Sequence, residues 1–257
     1  MQKQKSKEKP FFSVIIPAYN EEKYLPLLLE SISDQSYRNF EVLIIDGKSE
    51  DGTIQVAKKF KKKIFNLKII MSQKRNVSYQ RNLGAKKAKG KYYIFIDADT
   101  TFNKNAFFKT YQQIDKKKLK IFYPQISFSS PSSPKFIYQL LSWISNLFFS
   151  ITAILKINAA VGQYLVIEKG LFKQIKGYND RLALSEEHNL IKKARNYNYH
   201  HKFIKNFTVF ISPRRIEKEG LIKFLIKYLY FIIHEFIYGP SYYKPPLSYP
   251  MGGKHYE

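Results

Sequence analysis

The sequence predicts an α/β fold: a Rossmann-like, mostly parallel sheet flanked by helices, with an amphipathic helix toward its C-terminal end. Three observations carry this. Short apolar runs alternate with helix-period segments from Phe12 to Ile96, the pattern of strands joined by crossover helices. Two of those runs lead into aspartates, Asp46 and Asp97, at the position where open α/β sheets bind ligands. Residues 221–238 are strongly apolar yet carry Lys223, Lys227 and His234 near one helical face. The 257 residues, 44% of them hydrophobic, suffice for one large domain with a buried core.

The elements follow in order. Phe12–Ala18 is a first strand, punctuated by Pro17. Asn20 stands where it can cap a helix, with Glu21 and Glu22 in the first turn. Leu25, Leu28, Leu29 and Ile32 then recur at helical spacing. Phe40–Asp46 is a second strand, residues 47–53 a turn, and Ile54 to Phe60 the start of a helix. Leu67–Met71 is a weaker third strand, and Val77–Ala88 is helical. The stretch Lys91-Tyr-Tyr-Ile-Phe-Ile-Asp-Ala-Asp-Thr100 organises the rest. Its aromatic and β-branched residues read as a strand buried on both faces, running into Asp97-Ala98-Asp99. Two carboxylates at this spacing can converge on a divalent cation, Mg²⁺ or Mn²⁺, which takes one or two carboxylates plus phosphate oxygens. The same residues also fit an Asp-rich turn, with Thr100 capping a helix.

Right-handed crossovers bring the carboxyl ends of these strands to one edge. Pro17, Ala18, Tyr19, Asp46, Asp97 and Asp99 therefore line one crevice. Such a crevice suits a nucleotide: Asp46 can accept a hydrogen bond from a base N–H, and a metal can bridge carboxylates to a diphosphate. No G-x-G-x-x-G follows the first strand, and no G-x-x-x-x-G-K-[ST] occurs, which disfavours dinucleotide and P-loop chemistry.

The chain has no cysteine, which excludes disulfides, thiolate zinc sites and cysteine nucleophiles. Its formal net charge of +24 fits an anionic partner: nucleic acid, anionic lipid or a phosphorylated substrate. The abundance of Lys, Asn, Ile, Phe and Tyr also fits the bias of an AT-rich genome. No zinc-finger spacing, RNP-like motif or recognition helix supports nucleic acid as the partner. Residues 1–10 form a basic tail without the apolar run of a secretory signal, so cytoplasmic residence is the expectation.

Four segments together carry a family likeness. They are Ser13-Val-Ile-Ile-Pro-Ala-Tyr-Asn-Glu-Glu22, the span from Gln35 to Thr53 with Asp46 inside it, Arg81-Asn-Leu-Gly-Ala-Lys-Lys-Ala-Lys-Gly90, and Ile96-Asp-Ala-Asp-Thr100. They resemble family 2 glycosyltransferases of the GT-A fold, and the likeness runs in order over residues 11–215. It implies a nucleoside-diphosphate sugar donor and a metal-assisted, inverting transfer to an acceptor hydroxyl on a glycan or lipid-linked molecule. It implies that Pro17, Ala18, Tyr19 and Asp46 hold the nucleoside. Asp97 and Asp99 would meet sugar and metal, with Asp99 the more direct ligand, and Glu21 and Ala98 would face substrate. Arg81 would lie near the diphosphate; as a bare sequence feature it is equally a surface helix charge.

In the second half, Lys116 to Lys118 reads as a solvated helix face, and residues 127–134 as a Ser/Pro loop. Phe136 to Leu155 carries no charged residue and is long enough to cross a bilayer. A crossing would separate Asp99 from the later site residues, so a helix lying on a membrane or buried against the domain fits better. Asn158 to Ile167 resembles the family's acceptor-side strand. The segment from Gly177 to Leu190 resembles the family's acidic segment, where the general base is usually an aspartate. Glu187 takes that position here, with Glu186 as the alternative. Read without the likeness, the pair fits a helix N-terminus capped by Ser185. Arg214 and Arg215 match an Arg-Arg of related sequences and would bind the departing diphosphate or an acceptor phosphate; otherwise they form a basic loop.

The expected organisation is a tail (1–10), a GT-A domain (11–215) with a nucleotide-sugar half (11–101) and an acceptor half (102–215), and an amphipathic segment (216–257). The expected location is peripheral, on the anionic inner face of the cell membrane. A non-catalytic nucleotide-binding module at a membrane surface is the competing expectation, and it would leave the carboxylates without a task.

Overall fold

The computed structural model describes residues 9–128, 135–182 and 185–238. The last residues of the expected amphipathic segment, 239–257, most of the basic tail and most of the Ser/Pro loop lie outside them. Strand β1 (Phe12–Ala18) is buried along its whole length. It pairs in parallel with β2 (Phe40–Asp46) and β4 (Tyr92–Ile96), and β2 pairs in parallel with β3 (Leu67–Met71). β2 and β4 are also buried throughout, as expected for largely apolar runs covered on both faces, with Glu41 buried inside β2. The boundaries of all four strands are those read from the sequence.

Beyond β4 the sheet becomes mixed. β7 (Tyr164–Glu168) is antiparallel to β4, and β6 (Ile121–Ser127) is antiparallel to β7. β8 (Lys202–Ile211) runs parallel to β6, and the short β5 (Thr100–Phe102) pairs antiparallel with β8. The order across the sheet is β3-β2-β1-β4-β7-β6-β8-β5. The chain thus leaves β4 through Asp97-Ala98-Asp99 and reappears at the far edge. Thr100 N donates to the Asp97 carbonyl to close this turn, and Ser212 N donates to the Asp99 carbonyl. Thr100 therefore opens a strand and caps no helix, because β8 offers it a backbone partner.

Helices α1 (Leu25–Ser33), α2 (Thr53–Lys59) and α3 (Val77–Lys87) serve the parallel half, with a 3-10 turn at Phe60–Lys62. Leu25, Leu28, Leu29 and Ile32 of α1 are fully buried, each contributing roughly 1.5–3 kcal/mol. Helix α1 starts at Leu25, later than expected, with a proline in its first turn. Asn20 does not cap it. That residue sits at φ 52° and accepts from Glu50 N, while Glu21 N donates to Thr53 Oγ1 and Glu22 Oε2 accepts from Gly52 N. The loop after β2 supplies the donors that α1 would otherwise have supplied.

Helix α3 lies close against β1. A Cβ added at Gly84 would stand 2.4 Å from Ile15 Cγ2, so any larger residue would lift the helix from the sheet. In the second half α4 (Ala106–Lys117) leaves Lys116, Lys117 and Lys118 exposed, as expected. Helix α5 (Phe136–Ile154) follows β6, and α6 (Lys169–Gln174) follows β7. Next come α7 (Glu186–Asn196), α8 (Arg214–Glu219) and α9 (Leu221–Tyr238). The strand expected over 158–167 is shorter and later, at Tyr164–Glu168. Residues 158–163 instead form an irregular approach in which Ala159, Ala160 and Val161 are buried.

Candidate active site

The carboxyl ends of β1, β2 and β4 meet at one edge. Gln80 of α3 sits beneath them, its Nε2 donating to the carbonyls of Ala18 (3.0 Å) and Ile45 (2.6 Å). This side chain was not legible as a site residue, although a glutamine on the sheet-facing side of α3 is a signal that a buried carbonyl needs a donor. Pro17 and Ala18 are buried in β1. Gly47 N donates to Ala18 O, which ties the two strand ends together. Asp46 is buried, and its carboxylate accepts from Ser49 N (2.9 Å) and Ser49 Oγ (2.6 Å). Tyr19 is half-buried and lies under the guanidinium of Arg75, 3.8 Å from the ring centre. Arg75 was likewise not expected; it comes from the loop before α3 and also faces Glu50 at 3.6 Å.

Asp97 and Asp99 are each gripped by a different arginine. Arg81 of α3 is 1% exposed, which overturns the surface-charge alternative. Its Nη2 donates to Asp97 Oδ1 (2.8 Å), and its Nη1 donates to Glu186 Oε1 (3.2 Å) and to Glu187 Oε1. Its guanidinium also lies 5.2 Å from the ring centre of Tyr178. The neighbouring Asn82 fixes Tyr178 by exchanging two hydrogen bonds with its backbone. Beside Glu187 the chain is glycine: a Cβ at Gly162 would fall 2.3 Å from Glu187 Oε1. Glu186 and Glu187 open α7, where the helix dipole favours acidic side chains. Ser185 does not cap α7 through its side chain, because its backbone is left-handed at φ 62°. Burial and the adjacent Glu187 charge push the Glu186 carboxyl up to about 7, against the pull of Arg81.

The second arginine is Arg214, at the start of α8. Its Nη1 and Nη2 make a two-pronged contact with Glu21 (2.7 and 2.9 Å), and Nη2 also stands 3.1 Å from Asp99 Oδ2. Its guanidinium packs 4.5 Å from the ring centre of Tyr24. Arg214 is buried in this cluster, so the basic-loop alternative fails for it. Arg215 is half-buried, and its charge reaches Asp99. Burial pushes the Asp99 carboxyl upward while Arg214 opposes it.

One edge thus carries a strand-end crevice, the Asp-x-Asp turn, Glu21, Glu186 and Glu187, and the buried Arg81 and Arg214. A family model described as Glycosyl transferase family 2 matches residues 13–175. The chain belongs to glycosyl transferase family 2.

Within that family, the chain is 42% identical over 119 residues to a dolichyl N-acetyl-alpha-D-glucosaminyl phosphate 3-beta-D-2,3-diacetamido-2,3-dideoxy-beta-D-glucuronosyltransferase of Methanococcus voltae. That alignment covers 43% of this chain and 37% of the relative. A poly(ribitol-phosphate) beta-N-acetylglucosaminyltransferase of Staphylococcus aureus, TarS, is 38% identical over 97 residues, covering 36% of this chain and 17% of TarS. The matches therefore span well under half of either relative. A crystal structure of S. aureus TarS superposes with a TM-score of 0.62 at 24% identity, covering 79% of this chain and 61% of that one. The mannosyltransferase PcManGT of Pyrobaculum calidifontis, in complex with GDP-Man and Mn²⁺, superposes with a TM-score of 0.64 at 16% identity, covering 87% and 65%. These likenesses establish a GT-A fold.

Asp97 and Asp99 fit the divalent cation that the fold implies. They are hard oxygen donors on a tight turn, and the Arg214 guanidinium already places positive charge against Asp99. Among the described residues no group of three or more His, Cys, Asp and Glu side chains gathers as a metal cluster. A cation held by one or two carboxylates and completed by phosphate oxygens needs no such cluster.

Proposed function

We propose that the chain transfers a sugar from a nucleoside-diphosphate donor to an acceptor hydroxyl with inversion, assisted by Mg²⁺ or Mn²⁺. One observation carries this: the guanidinium fork of Arg81 joins Asp97 to Glu187. The group that meets the donor sugar and the group that meets the acceptor are thereby held one side chain apart. The nucleoside lies against Pro17, Ala18 and Tyr19, with Asp46 facing its base. Asp99, with Asp97, holds the cation, which neutralises the diphosphate when bound. Glu21 positions Arg214, and Arg214 and Arg215 face the developing charge on the departing diphosphate. Ala98 faces the sugar.

Glu187 takes the proton of the acceptor hydroxyl. The freed oxygen forms its bond to the anomeric carbon as the bond to the diphosphate oxygen breaks on the opposite face. The electron pair of the broken bond leaves with the diphosphate. Burial and the neighbouring Glu187 raise the Glu186 carboxyl to about 7, beside the group proposed as base. Residues 11–101 serve the donor, 102–215 the acceptor, and the segment from 216 onward attaches the enzyme to an anionic membrane surface on the cytoplasmic side. The acceptor is a glycan or lipid-linked molecule. TarS solved with UDP-GlcNAc, and PcManGT with GDP-Man and Mn²⁺, support the donor class and the cation.

The test is turnover of a panel of UDP- and GDP-sugars by Glu187→Gln and Glu186→Gln. Glu187→Gln is expected to lose about 10²–10⁴-fold in kcat with donor binding retained. Undiminished transfer by Glu187→Gln, with the loss appearing in Glu186→Gln, would move the base to Glu186. No nucleotide binding by the wild-type chain in calorimetry would remove the proposal altogether.

A further inference from the structure

Helix α5 turns Ser142, Asn146 and Thr152 toward the protein and leaves Trp143 and a row of aliphatic side chains exposed. Asn146 presents its amide to β6 as a neighbouring strand would: Oδ1 accepts from Ile126 N (2.9 Å), and Nδ2 donates to Ile126 O (2.8 Å). The reason is that β7 pairs with β6 only at Ile121 and Phe122, which leaves that flank of β6 open further along. Ser142 Oγ accepts from Phe128 N, and Tyr138 OH donates to Glu217. Buried Phe149 and Thr152 hold the other end of the helix. On the outer side Trp143, Leu147, Ile151 and Ile154 are between 45% and 74% exposed. Helix α9 likewise exposes Ile222, Ile226 and Leu229 at helical spacing. The two helices meet where Tyr138 and Leu141 pack with Ile216, Leu221 and Phe224.

We propose that these two faces form one surface that lies flat in an anionic lipid leaflet and seats the catalytic cleft at the headgroup boundary. Length alone would let α5 span a bilayer: 19 residues rise about 28 Å. Its contacts to β6 and α8 along one side rule that orientation out, because a spanning helix cannot keep them. Charge favours lipid over a second copy of the chain. Lys135 and Lys156 flank α5, Lys223 lies exposed on α9, and two chains at +24 each repel one another. The basic stripe expected on α9 is weaker than its sequence suggests, since Lys227 pairs with Glu219 at 2.8 Å.

The surface also connects to the site. Seven residues separate the end of α5 from Gly162, which abuts Glu187, and Arg214 begins the helix that runs through Gly220 into α9. A lipid-borne acceptor would therefore deliver its hydroxyl beside the base. This last consequence rests on the proposed sugar transfer; the lipid contact does not.

Trp143 is the only tryptophan in the chain and lies on this face, so it reports the contact directly. The full chain is mixed with vesicles of phosphatidylcholine, alone or with phosphatidylglycerol, with no sugar donor present. The expected result is co-sedimentation with the anionic vesicles, a blue shift of Trp143 emission, and quenching by bromine carried on the acyl chains. The combined variant Trp143→Gln, Leu147→Gln and Ile226→Gln should lose roughly tenfold or more of the partitioning with an unchanged circular-dichroism melt. Three results would overturn the proposal. One is no vesicle binding at low salt. The second is a concentration-dependent blue shift without lipid, which marks a second copy on the face. The third is protection of Trp143 from iodide without lipid, which marks coverage by the chain's own C-terminal residues. Vesicle binding that persists while no nucleotide sugar binds would sink the transferase proposal and leave this one standing.

Discussion

Arg81 and Arg214 each grip one carboxylate of the same Asp97–Asp99 turn, yet they are held in different ways. Arg81 projects from an eleven-residue helix packed on the central strands, and it neutralises Asp97, Glu186 and Glu187 together. Arg214 projects from a six-residue helix that continues toward the apolar α9, and it answers to Glu21 and Asp99. The first is a bridge between distant parts of the chain, with three carboxyl groups gathered on it. The second is an arm whose contact with Asp99 occupies the place where diphosphate and cation charge are expected. One arginine ties α3 to the Asp97 turn and α7; the other ties α8 to Glu21 and the Asp99 end of the same turn.

The strongest way to break this comparison is Arg81→Ala. It would leave three carboxylates gathered without a counter-charge, and the expected loss is about 3–5 kcal/mol in chemical denaturation, with transfer abolished. Arg81→Lys keeps the charge but loses the fork, so it should fall between. A wild-type melt for Arg81→Ala would show that the bridge carries no structural weight.

A smaller effect is expected on the other side. Arg214→Ala should cost about 1–3 kcal/mol and lower kcat/KM for the donor roughly 10²-fold, while Mn²⁺ still stimulates turnover. Asp99→Asn should instead remove the stimulation. Steady-state kinetics across a Mn²⁺ titration separates the two, and stimulation retained in Asp99→Asn would dismiss the carboxylate as a metal ligand.

The subtlest effect is on pH. Glu186 has an ordinary value of 4.5 and is raised to about 7 by burial and by Glu187. Its contribution to stability is therefore fully present below the unfolded value and is lost as pH rises through the folded one. Glu186→Gln removes that loss. Its Tm relative to wild type should rise between about pH 5 and pH 8 by roughly 5–10 °C. A difference that stays flat across this range would mean that Glu186 is ionised in the fold.

The four parallel strands were legible to the residue, whereas α1 begins later than its sequence suggests. β1, β2 and β4 are mainly apolar runs that end at Pro or Asp, and such runs have few other ways to be buried. β5 and β6 were not legible. β5 has three residues, and β6 carries Pro124 and Gln125, so both exist because β8 pairs with them. In the site, the acidic residues could be named from local pattern and family likeness. Gln80 carried only the general signal of a polar residue on a sheet-facing helix side, and nothing near Arg75 in sequence announces the ring it meets.

What the sequence determined by itself was the four parallel strands, the carboxylates at their ends and the family. Hydrophobic periodicity and turn chemistry are local, and they survive without knowledge of the rest of the chain. What only the tertiary structure decided was pairing. Arg81 meets Glu187 across 106 residues and Arg214 meets Glu21 across 193. The outward face of α5 was decided in the same way, by an open flank on β6 that claimed the helix's polar side and left its apolar side to the surroundings. Asp97 and Asp99 were visible as two charges in a row; the folded sheet gave each its own arginine.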